Sequence, residues 1–157
     1  MGSVDEQAEK AIYKFYDALE DLLRGRGTAA MSEVWHHGDY VTTAHPFGHW
    51  ARGWTEVSAT WEEGAAVFAT YKGHDTRTDV IGGIHELKVT VVGDAAYSIG
   101  VYKSRLYMSD GPLDLRANCT NVAHRIDGLW KLVHHHADQA PPAWQAAIGR
   151  MVQAGHS

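Results

Sequence analysis

Apolar positions recur at helical spacing from the start of the chain. Over residues 5–24, "DEQAEKAIYKFYDALEDLLR", Ala8, Ile12, Phe15, Tyr16, Leu19, Leu22 and Leu23 fall on one face, with acidic residues in the first turn and Gly25 and Gly27 behind the last. A short helix over 28–36, capped by Thr28, follows. "DYVTTAHPFG" then alternates as a strand and stops at Pro46-Phe47-Gly48. Residues 54–70, "WTEVSATWEEGAAVFAT", return to helical spacing, with Trp54, Val57, Trp61 and Phe68 near one face and Thr55 as a cap.

From there the period shortens to two. Strands are predicted over 85–92, 95–108, 113–126 and 129–138, separated by turns at Gly93-Asp94, 109–112 and Asp127-Gly128. Pro141-Pro142 opens a final predicted helix over 142–153, whose apolar side is Trp144, Ile148, Met151 and Val152. Helices first and a meander of long strands afterwards describe one α+β domain over 1–157, a curved antiparallel sheet wrapped around the N-terminal helices.

Composition narrows the partners. At 157 residues and 45% hydrophobic content the chain can enclose a core. A net charge of -5 and pI near 6.1 argue against nucleic acid or an anionic membrane. No apolar run approaches a membrane span or a secretory core, and a single cysteine, Cys119, admits no disulfide framework or thiolate zinc cluster. The expected location is therefore the cytoplasm.

Eleven histidines and six tryptophans are the unusual feature. Imidazole titrates near neutrality and indole forms flat apolar walls, so together they suggest a pocket or simply a packed core. In "KLVHHHADQ" (131–139), strict alternation puts Trp130, Leu132, His134 and His136 on the buried face, the two histidines about 7 Å apart along the strand, and sends His135 outward. A pair at i, i+2 can chelate a metal, yet a catalytic zinc needs a third protein ligand, for which His45, His49, His124 and Asp138 are candidates without a local motif. Asp138 either orients His136 or is an exposed strand-end carboxylate. His45, held extended by Pro46, ends its strand beside a tryptophan-bearing helix and is either a pocket-mouth base or a turn-stabilising side chain. Trp54 and Trp61, seven residues apart, share a helix face as core or pocket wall. Cys119 alternates away from Asn118 and Thr120, with nothing nearby to make it a nucleophile.

The segments "YKFYDALEDLLRGR", "YVTTAHPFGHWARGWTEV", the strands from 85 onward and "DGLWKLVHHHADQ" together resemble the nuclear transport factor 2-like superfamily. This is the cone-shaped α+β fold of ketosteroid isomerase and SnoaL-like polyketide cyclases, and W-x-L-x-H-x-H-A is similar to the closing strand of many SnoaL-like chains. The resemblance puts His45, in His45-Pro46-Phe47-Gly48, where the isomerases carry their general-base aspartate. It puts Thr120, with Asn118 beside it, where they carry a protonated aspartate, and Phe15, next to Tyr16 and Tyr13, where they carry a tyrosine donor. Both oxyanion donors are thus replaced or displaced, which favours the SnoaL-like branch over steroid isomerisation.

The implied activity is general acid–base chemistry by His45, His134 and His136 on a small apolar organic ligand, of isomerase, cyclase, dehydratase or hydrolase type. Tyr16, Trp54, Trp61, Asn118 and Thr120 would bind the substrate, with no cofactor and no metal. The alternatives are a non-catalytic binding or dimerisation module and, third, a metal site formed by His45, His134 and His136. The resemblance also implies a homodimer through the outer sheet face.

Overall fold

The computed structural model describes residues 2–46, 50–70, 83–108 and 111–138, with isolated positions 146, 150 and 155. The predicted final helix, apart from two of those positions, and Phe47-Gly48-His49 lie outside the described residues.

Helix α1, Val4–Leu23, begins in a reciprocal capping box. The Ser3 hydroxyl accepts from the Glu6 N–H, and the Glu6 carboxylate accepts from the Ser3 N–H, satisfying two donors that a helix start leaves open. Its predicted face is buried at Ala8, Ile12, Phe15, Tyr16 and Leu22. Helix α2, Ala29–Val34, follows. Thr28 stands at its N-cap but makes no side-chain bond there; its carbonyl instead accepts from Ser32. Helix α3, Trp54–Thr70, starts directly after Gly53, whose φ of 81° few other residues tolerate, so Thr55 lies inside the first turn and is not the cap.

Six strands form one open, curved sheet in the order β2-β1-β6-β5-β4-β3. They are β1 (Thr42–Ala44), β2 (Ala51–Arg52), β3 (Gly83–Val92), β4 (Ala95–Met108), β5 (Gly111–Ile126) and β6 (Leu129–Ala137). The long strands are antiparallel neighbours, as their hairpin turns require. The sheet is nevertheless mixed, because β1 runs parallel to β6, Thr43 opposite His135. That pairing joins residues 92 apart and leaves no trace in local periodicity.

The strand carrying the histidines departs from the alternation expected of it. Ala123 pairs with Leu132 and Val122 with His134, leaving Val133 without a counterpart on β5. This β-bulge inserts one residue and reverses the facing of everything after it. Trp130 and Leu132 are buried as expected, but Val133, His135 and Ala137 then take the inner side. His135 is 3% exposed, whereas His134 is half-buried and His136 exposed. The expectation that His134 and His136 face inward is corrected, and its cause is the bulge.

On β5 the inner residues are Leu115, Ala117, Cys119, Asn121 and Ala123, all buried, while Asn118 and Thr120 are exposed. This too corrects the sequence reading, which put Asn118 and Thr120 in the substrate site; Cys119 does alternate away from them, but toward the interior. The main core joins α1, α2, α3 and the inner sheet face around Ile12, Phe15, Trp35, Val57, Trp61 and Leu132. A second cluster gathers Ala8, Ala96, Ala123 and Trp130.

Candidate functional site

Two imidazoles meet on the inner side of the sheet. His45, leaving the end of β1, sets its ring edge-on to Trp61 of α3 at 4.0 Å between centroids. His135 of β6 lies 6.1 Å from His45, 5.9 Å from Trp61 and 4.6 Å from Phe15. Their spacing follows from the parallel register, since β1 and β6 are hydrogen-bonded immediately beside both residues.

Hydrogen bonds define the protonation of each ring. The Thr60 hydroxyl donates to the Val57 carbonyl at 2.7 Å, so toward His45 Nε2, 2.9 Å away, it acts as acceptor. His45 thus carries its proton on Nε2 and keeps the Nδ1 lone pair. For His135, Nδ1 lies 2.7 Å from Asn121 Oδ1, an acceptor, while Asn121 Nδ2 donates to Tyr16 Oη at 2.6 Å and Ser98 Oγ at 3.2 Å. His135 therefore bears its proton on Nδ1 and keeps Nε2 as the lone-pair nitrogen. Tyr16, Asn121 and His135 form one continuous polar chain crossing from α1 through β5 to β6.

Burial keeps both rings neutral. His45 is pushed down to about 4 by loss of solvent. His135 is held well below the ordinary imidazole value, first by burial and then by the neighbouring His45. The same desolvation raises Tyr16 and Tyr102 far above the usual phenol range, and their rings stack at 5.9 Å. Cys119, pushed up to about 11 by burial, stays a thiol at neutral pH. The Trp61 indole N–H, buried between the two histidines and the aromatic core, has no hydrogen-bond partner among the described residues.

The remaining expected residues are placed elsewhere. His134 and His136 stand on the outer sheet face with rings 6.4 Å apart, and His134 Nδ1 is 2.7 Å from the Thr42 hydroxyl. They do not converge with His45, and no group of three or more histidine, cysteine, aspartate or glutamate side chains suited to a metal ion occurs among the described residues. Asp138 does not orient His136; its carboxylate accepts from the Asn118 backbone and side-chain N–H groups at 2.9 and 2.8 Å and so ties β6 to β5. Trp54 stacks on His37 at 4.2 Å and meets Trp35, which in turn meets Trp61. Tyr16, Trp61 and His45 are thus brought together, while Trp54, Asn118, Thr120, His134 and His136 are not. Sequence reasoning missed His135, Asn121, Ser98 and Thr60. The apolar alternation Leu115-Ala117-Cys119-Ala123 was the signal that would have turned Asn121 inward.

A family model described as a SnoaL-like domain matches residues 12–141. Among curated proteins, F-box protein SKIP8 of Arabidopsis thaliana is 28% identical over 128 residues, which are 82% of this chain and 49% of that protein, so the chain spans about half its relative's length. Among solved structures, the S. rosetta CaMKII hub superposes with a TM-score of 0.64 at 18% identity, covering 90% of this chain and 99% of that one. A Shewanella frigidimarina protein provisionally assigned as a ketosteroid isomerase gives 0.64 at 20% identity, covering 87% and 98%. A Streptomyces avermitilis protein, provisionally a dehydratase of the NTF2-like family, gives 0.63 at 24%, covering 85% and 93%. At these identities the likeness establishes the fold alone. No described helix is long and apolar enough to cross a membrane.

Proposed function

The chain belongs to the SnoaL-like domain family, and from that premise we propose that the inner side of its sheet receives a small, largely apolar organic molecule on which His45 and His135 move a proton. One observation carries this reading. A half-buried and a buried imidazole, both neutral, lie 6.1 Å apart, each with one nitrogen held by a hydrogen bond and the other left as a lone pair. His45 Nδ1 is the proposed proton acceptor and His135 Nε2 its partner, with Asn121 as the residue that positions His135. A conjugate acid near 4 leaves His45 unprotonated at pH 7, and negative charge developing on a bound substrate would raise its basicity during proton transfer. Isomerisation, dehydration, aldol-type cyclisation and epoxide hydrolysis all fit this arrangement.

Conjugation of a β,γ-unsaturated ketone and dehydration of a β-hydroxy ketone both yield an enone visible by ultraviolet absorbance. Turnover is expected to fall about 100-fold or more in His45→Gln and His135→Gln proteins, and to be unaffected by His136→Gln. Equal turnover in all three would move the assignment to a binding module.

That second reading has its own support. Val92, Tyr97 and Ile99 are 67%, 47% and 54% exposed on the outer face of β3 and β4, an apolar surface of the kind that self-association covers. The CaMKII hub and association domains among the structural neighbours are in keeping with self-association, and the outer face is where we propose that a homodimer forms.

A further inference from the structure

A recess lies away from the paired histidines. The polar flank of α1, the end of α2 and the β5–β6 turn border a half-open recess of about 600 Å³, within the range of small-molecule sites. Its wall includes Trp130, which belongs to the second core cluster, whereas the core around the histidine pair is built on Phe15 and Trp61. The recess is therefore separate from the proposed reaction site.

Its chemistry is one-sided. The chain has six lysines and a net charge of -5, yet Lys10, Lys14 and Lys131 all line this recess, against Glu33 as the one acidic residue lining it. Lys10 and Lys14 stand one helical turn apart, a like-charge spacing that disfavours the helix, and neither forms an ion pair among the described residues. Lys131 is fixed, donating from Nζ to the Glu33 carbonyl at the end of α2 at 2.6 Å. Trp130, 8% exposed, carries a buried indole N–H that has no partner among the described residues. Leu129, 61% exposed, and Val34 add apolar wall beside it.

We infer that this recess binds an amphipathic organic anion, a carboxylate held by Lys10 and Lys14 whose apolar body lies against Trp130, Leu129 and Val34. An anion relieves the Lys10–Lys14 repulsion and pairs with both ammonium groups, while Trp130, Leu129 and Val34 give its apolar body a wall. The inference does not depend on the reaction proposed for His45 and His135.

The test uses naphthalene-2-carboxylate and its neutral counterpart naphthalene-2-methanol, titrated into isotope-labelled protein and followed by backbone amide shifts. The carboxylate is expected to move the amides of 7–14 and 128–131 and to bind about fivefold or more tightly than the alcohol. Lys10 and Lys14 are both exposed on α1, so the Lys10→Gln/Lys14→Gln protein keeps its fold and should abolish that preference. Absence of shifts there at millimolar carboxylate, equal affinity for acid and alcohol, or shifts confined to the surroundings of His45 and His135 would each overturn the assignment.

Discussion

Replacing Asn121 by leucine removes the amide at the centre of the buried polar chain while keeping the number and branching of its heavy atoms. Asn121 is 0% exposed and holds His135 at 2.7 Å, Tyr16 at 2.6 Å and Ser98 at 3.2 Å. The substitution strands the His135 Nδ1–H completely. The two hydroxyls lose one donated bond each and can still donate their own protons. A buried group left without its partner costs about 1–3 kcal/mol. Counting His135 fully and the hydroxyls in part gives a loss of about 3 kcal/mol, a large share of the roughly 5–15 kcal/mol that holds a domain folded. In urea, with a slope of about 2 kcal/mol/M, the midpoint should fall by about 1.5 M and the slope should not change. The decisive leg is His135→Leu in both backgrounds. Once Asn121 is leucine, the stranded imidazole is a liability, so removing it should recover about 1.5 kcal/mol relative to additivity. Strict additivity, or a loss below about 1 kcal/mol for Asn121→Leu, would refute the network as the element that holds His135.

Two further outcomes follow from the same geometry. The folded-state value of His45 lies below its ordinary 6.5, so the unfolded chain binds the extra proton between pH 6.5 and about 4. Stability should therefore be fully present above pH 6.5 and decline as the pH falls through that window, with a ceiling of about 3 kcal/mol from His45. His135 acts in the same direction, and His45→Phe should flatten the profile in chemical unfolding; an unchanged slope would count against burial as the cause. On the outer face, Ile99→Lys should shift sedimentation toward the monomer, and a wild-type protein already monomeric at micromolar concentration would contradict the proposed dimer.

Features governed by local backbone chemistry were legible in the sequence. The face of α1, the limits of β4 and the turns at Gly93-Asp94 and Asp127-Gly128, whose φ values are positive at Gly93, Asp127 and Gly128, all follow from nearest-neighbour periodicity and turn residues. The candidate site was harder to read because its facing is set between strands. The extra residue at Val133 is defined only by the pairing of β6 with β5, and the parallel contact of β1 with β6 spans most of the chain. The resemblance puts Asn118 and Thr120 in the substrate site, and so on the inner face of the sheet. The alternation of Leu115, Ala117, Cys119 and Ala123 on the same strand pointed the other way, and hydrophobic burial decided the facing.

The bulge also gives the triplet His134-His135-His136 a meaning beyond any single member. A strand that can slip by one residue threatens whatever chemistry depends on an inward side chain. With three imidazoles in a row, loss or migration of the extra residue still delivers an imidazole to the interior, from His134 or His136 in place of His135. A one-residue shift in the register of β6 against β5 therefore still leaves an imidazole opposite Asn121.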